Sequence, residues 1–194
     1  GKSHNLGKSR YVVAKRWEKK DVLGNGNIFL IDVRPFSSYR QGDVGYKMLM
    51  NSGQQRYYLA SVEMAAFLGG LCKSGYDDIS FNGFSTVNGS PGESASHING
   101  EAGDIRYLRK DKKAKAVTLQ DEMYDHQRSL ELINNFISFG WGKSKLMISE
   151  YFTNAKAGVE HNYIFPKCFQ LKSKKPRHNN HLHMQGLLAN IEDI

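Results

Sequence analysis

The chain has 194 residues, of which 40% are hydrophobic and 24% charged, a balance that closes one sizeable core and excludes a disordered tail. Lysine and arginine number 27 against 19 acidic residues, a net charge of +8 that favours polyanionic partners such as nucleic acid, anionic cell-wall polymers or membrane surfaces. No apolar run approaches the roughly 20 residues of a membrane span, the stretch Gly1 to Arg10 has no signal-peptide core, and two cysteines, Cys72 and Cys168, allow one disulfide but no disulfide framework.

The polar residues 1–10 read as a flexible lead-in, and residues 11–194 as a single domain. Asn27 to Val33 is β-branched and apolar and ends at Pro35, the pattern of a buried strand in which Asp32 needs a partner. Gln54 to Cys72 has few breakers before Gly69 and predicts a long buried helix. Asp78 to Ser85 alternates apolar and polar side chains and predicts a strand interrupted at Gly83. Thr86 to Gly100, rich in Gly, Pro, Ser and Asn, predicts a long loop of the kind that carries function. Gly103 to Leu108 reads as a strand and Asp121 to Phe139 as an amphipathic helix with Leu130, Ile133 and Ile137 on one stripe, where His126 is a packed boundary residue. Lys145 to Ser149 and His181 to Leu188 complete the strands. The fold class is therefore α+β, a small, mostly antiparallel central sheet flanked by two long helices. The basic runs Arg109 to Lys115 and Lys172 to Arg177 read as solvated turns. Residues Arg10 to Met50 could add a strand and a helix, a substrate wall or a docking surface.

With no C-x-x-C pair, a metal site must draw on His and carboxylates. His181 and His183 are two apart, so on a strand both imidazoles face one side. His178 joins them only if the segment from Pro176 to Asn180 turns. The second cluster runs from Ser94 to Asp104, where small residues between His97 and Asp104 allow the backbone to pass close to a metal. His97, Asp104 and His183 make a three-ligand set for Zn2+ that leaves a fourth position for water, as hydrolytic sites require. Glu101 is expected to point away from Asp104, onto the surface.

The pattern His-x-x-Gly-x-Ala-x-Asp at His97 to Asp104, followed by His-x-His at His181 to His183, resembles the LAS group of zinc metallopeptidases, which includes lysostaphin-type enzymes, D-Ala-D-Ala metallopeptidases and Hedgehog-like domains. The likeness spans residues 78–187. Dipeptidases of the group place a Glu three residues before the last ligand His, where this chain has Asn180. The arrangement His178-x-x-His181-x-His183 is similar instead to penicillin-insensitive murein endopeptidases. The resemblance implies zinc on His97, Asp104 and His183, a general base or transition-state stabiliser at His181, and assistance from His178. It implies a peptidoglycan hydrolase of D,D- or L,D-endopeptidase type acting in the periplasm or extracellular wall, in the manner of a secreted effector or a phage lysin, with any delivery or immunity partner undefined. Two positions depart from the pattern. Ala95 stands where the group has Ser, and Gly83-Phe84-Ser85-Thr86 lacks the Arg that neutralises a developing oxyanion, a task that would pass to zinc and an imidazolium such as His178. Two other readings are a non-catalytic zinc-binding domain, as Hedgehog-like relatives are, and a metal-dependent nuclease. Against nucleic acid stands the lack of aromatics interleaved with Lys and Arg.

Overall fold

A computed structural model describes residues 9–150, 164–172 and 177–189. The chain opens with a long antiparallel hairpin, β1 (Tyr11–Lys19) and β2 (Val22–Asp32). Its buried face carries Ile28 and Leu30, whereas Tyr11, Val13 and Phe29 are exposed. A second hairpin follows, β3 (Ser38–Gln41) with β4 (Val44–Met50). The segment Arg10 to Met50 therefore supplies four strands, and its only helical part is a single turn at Arg34–Phe36. Asp32 finds its partner two residues on: Arg34 donates to both carboxylate oxygens, from Nε at 2.9 Å and Nη2 at 2.7 Å.

The predicted helix at Gln54 to Cys72 begins later than its composition suggested. Tyr58–Ala60 form β5, which pairs with β2, and α1 then runs Ser61–Ser74. Gly75, in left-handed backbone at φ 69, ends α1 by donating its N–H to the Leu71 carbonyl. After β6 (Ile79–Gly83), β7 (Gly103–Arg106) and α2 (His126–Ser138) come β8 (Met147–Glu150), β9 (Cys168–Leu171) and β10 (His181–Met184). Asp125 caps α2, its side chain accepting from the Arg128 N–H at 3.1 Å.

Among the described residues there are two sheets. One is β1-β2-β5 and the other has seven strands in the order β3-β4-β6-β7-β10-β8-β9. The expectation of a small sheet is thus corrected, because β3, β4 and β9 extend it at both edges. Parallel pairs occur at β4 with β6 and at β8 with β9, and the other neighbours are antiparallel. Two helices accompany the sheets, as expected, with 14 and 13 residues. They meet through stacked rings: Phe67 of α1 lies 5.6 Å from Phe136 of α2 and packs edge-on to Phe84 at 4.9 Å. Phe81 and Phe84 are core residues, whereas Tyr151 and Phe152 lie outside the described residues. Cys72 and Cys168 are both free thiols, so the single disulfide allowed by the sequence is not made. No helix among the described residues is long and apolar enough to cross a membrane.

Candidate metal centre

Three elements bring His97, Asp104 and His183 together. Asp104 on β7 and His183 on β10 are directly opposed in the antiparallel register, so their side chains leave the same face. His97 arrives on the loop between β6 and β7, just before a helical turn at Ile98–Gly100. The first hairpin holds that loop. Asn99, at φ 60, accepts from the Trp17 N–H and donates to the Trp17 carbonyl, both at 2.8 Å. Glu101 is tied back to Arg16 at 2.6 Å, on the surface side as predicted. The glycines in this segment serve packing. A Cβ on Gly100, at φ +68, would sit 2.6 Å from the Ala60 nitrogen, and one on Gly103 would enter the Phe84 ring. The small residues therefore admit β5 and an aromatic ring, rather than a metal, close to the backbone.

The three side chains are buried. His97 Nε2 lies 3.1 Å from Asp104 Oδ1 and 3.1 Å from His183 Nδ1, and His183 Nδ1 lies 3.0 Å from Asp104 Oδ1. Three atoms bound tetrahedrally to one zinc ion stand about 3.3 Å apart, so this near-equilateral triangle needs little rearrangement to hold a metal ion. His97 is oriented for it. Its Nδ1 lies 3.0 Å from the Phe84 carbonyl, an acceptor, so that nitrogen carries the hydrogen and Nε2 presents a lone pair to the centre. His183 Nε2 is buried without a partner among the described residues.

Residues 177–180, the described part of the segment expected to turn, bring His178 beside the cluster, its ring 5.1 Å from His181 and 5.9 Å from His183. Two residues not foreseen in the sequence hold it there. The buried Glu150 carboxylate accepts the N–H groups of Arg177 and His178 at 3.2 and 2.9 Å, and the Tyr107 hydroxyl donates to the His178 carbonyl at 3.2 Å. His181 is fixed by Asn180, whose Oδ1 accepts from Nδ1 at 2.7 Å. That leaves His181 Nε2, 3.6 Å from Asp104 Oδ1, free to take a proton.

Arg56 is a further residue that the sequence did not disclose. Its buried guanidinium has Nη1 3.0 Å from His97 Nδ1 and Nη2 3.9 Å from Asp104 Oδ2, and Nε has no partner among the described residues. Because His97 Nδ1 donates to Phe84, it accepts nothing from Nη1, so the guanidinium keeps unspent donors beside the cluster. Gly83 makes the room: at φ +141, a Cβ there would lie 3.1 Å from Arg56 Nε and Nη2. A positive charge thus stands beside the cluster on a residue 41 positions before His97.

Burial dominates the titration of His178 and His181. It pushes His181 down to about 4, outweighing the pull of Asp104, and it lowers His178 as well, helped by His183. Both shifts favour the uncharged ring at pH 7 in the metal-free protein. Burial alone would raise Asp104, but the His183 and His97 imidazoles packed against it hold the carboxyl well below the usual carboxylate range. The signs combine. Between pH 6.5 and about 4 the unfolded chain takes up a proton at His181 that the folded metal-free protein refuses, so stability falls with pH by about 3 kcal/mol across that window. Asp104 acts in the same direction lower down, its contribution present above the usual carboxylate range and lost on further acidification. Urea unfolding of the metal-free protein is expected to show a midpoint that drops from pH 7.5 to pH 4.5. His181→Gln should flatten that drop; an equally steep drop in the variant would assign it elsewhere.

His126 lies apart from the centre, at the start of α2, with its ring 5.6 Å from Phe165. His4 and His161, and residues 173–176 of the second basic run, lie outside the described residues. Compared with protein-family models and with curated proteins, the chain matches none.

Proposed function

We propose that the protein is a zinc-dependent peptidase that cleaves peptide stems or cross-links of bacterial peptidoglycan, in the periplasm or the extracellular wall. One observation carries the reading: His97 Nε2, Asp104 Oδ1 and His183 Nδ1 converge within 3.1 Å of one another, with a neutral His181 alongside. Two imidazoles and a carboxylate are a donor set of hydrolytic zinc sites. Zinc held there would polarise a scissile carbonyl and acidify a water. The other steps belong to this chain's own residues. His181 Nε2 accepts the proton from the attacking water and returns it to the leaving amine, while Asn180 keeps its Nδ1–H in place. The Arg56 guanidinium, desolvated beside Asp104, lends positive charge where negative charge develops. The peptidoglycan assignment rests on the motif resemblance and on the net charge of +8, which suits an anionic wall polymer.

Zinc-loaded protein incubated with cross-linked muropeptides, against a chelated control, is expected to give products heavier by one water at a peptide bond. Muropeptides left intact by protein with stoichiometric zinc would make this a binding domain. His181→Gln should keep its zinc and lose activity by about a hundredfold or more; a variant with near-normal turnover would remove His181 from the proton path.

A further inference from the structure

Arg106 is a charged group beside the centre that the mechanism does not use. It stands two positions after Asp104 on β7, so the two side chains leave the same face of the strand. In the β7–β10 register Arg106 is directly opposite His181, as Asp104 is opposite His183. The four side chains thus form a two-by-two block on one sheet face. Arg106 is half-buried, yet it has no hydrogen-bond or ion-pair partner among the described residues. Three other arginines are paired, Arg34 with Asp32, Arg109 with Asp111 and Arg128 with Asp78, and Arg56 lies 3.9 Å from Asp104. A partly desolvated guanidinium without an anion is an unfavourable arrangement that a bound anion relieves.

We propose that Arg106 forms a carboxylate-binding subsite of this centre, so that preferred substrates carry a free carboxylate within one or two residues of the bond cleaved. The reach follows from strand geometry. Two residues along β7 span about 7 Å, the length of one to two extended peptide units. Arg106 offers a planar pair of N–H donors to the two oxygens of a carboxylate. Within the peptidase reading, on which the substrate class rests, the carboxylate comes either from the C-terminus of a stem peptide or from the side chain of a diaminopimelate residue.

The test uses a tetrapeptide stem with diaminopimelate at its third position, prepared with both carboxylates free, with the C-terminus amidated, and with the diaminopimelate side chain amidated. Calorimetry on the chelated full chain, where nothing is hydrolysed, should show roughly tenfold weaker binding when the recognised carboxylate is amidated. The amide that weakens binding identifies the source. Arg106→Gln should bind all three forms alike, and Arg106→Lys should restore part of the preference. With zinc loaded, the same preference should fall on KM, with kcat changed less than threefold. Wild-type protein that treats the three forms alike, or an Arg106→Gln variant that keeps the preference, overturns the subsite. Discrimination in binding with no form hydrolysed leaves the subsite standing and removes the peptidase reading; hydrolysis without discrimination does the reverse.

Discussion

Replacing His183 with alanine is expected to abolish stoichiometric metal binding and, with it, all metal-dependent activity. Positioning partners one step removed from a metal typically account for 10- to 100-fold in affinity, so loss of a direct ligand should exceed about a hundredfold. His183 Nδ1 also stands 3.0 Å from Asp104 Oδ1, so the variant leaves a buried carboxylate with less support. The metal-free variant should accordingly be less stable than the metal-free wild type. Equilibrium dialysis against zinc gives the first quantity and urea unfolding the second. Near-normal zinc affinity in the variant would refute the three-ligand assignment.

Gly103→Ala is expected to be among the most destabilising single substitutions in the chain. The added methyl would occupy the space of the Phe84 ring, which packs against Phe67 and Phe81 at 4.9 and 4.8 Å. Overpacking of this kind costs about 3 kcal/mol. The effect reaches the metal centre too, since the Phe84 carbonyl orients His97, so metal affinity should fall together with stability. Adding Phe84→Leu should return part of both, a departure from additivity expected of residues in contact. Full additivity in the double variant would place the damage elsewhere.

The candidate metal ligands were legible because their chemistry is local and their types are rare. A His-x-His pair on a strand and a His and an Asp separated by small residues constrain each other wherever the chain goes. Whereas the edge strand β9 carried no comparable signal, the ends of β6, β7, β8 and β10 were legible to within about four residues for the same local reasons. The first fifty residues were not. Val13, Leu23 and Phe29 alternate with half-buried or buried positions in the hairpin yet are themselves exposed, so apolar character marks both of its faces and the periodicity is blurred. The stretch Gln54 to Ala60 has helix-compatible composition, but β2 recruits Tyr58–Ala60 as a strand, a tertiary choice that propensity does not express. Arg56 was illegible for a related reason. Its role depends on the space left by Gly83 and on a neighbour 41 positions away, and no spacing rule connects them.

The placement of β10 between β7 and β8 bears on how the protein comes into being. As the chain leaves the ribosome, β7 and β8 lack their common neighbour until residues 181–184 have been made. The half-sheet with β3, β4, β6 and β7 can gather earlier, and α1 with it, but the strand that joins it to β8 and β9 comes late. His97 waits through 86 residues of synthesis for His183. Closing so long a loop is slow, and until then the nascent chain holds His97 and Asp104 without their third ligand. A site made of all three side chains therefore cannot form before β10 has been synthesised.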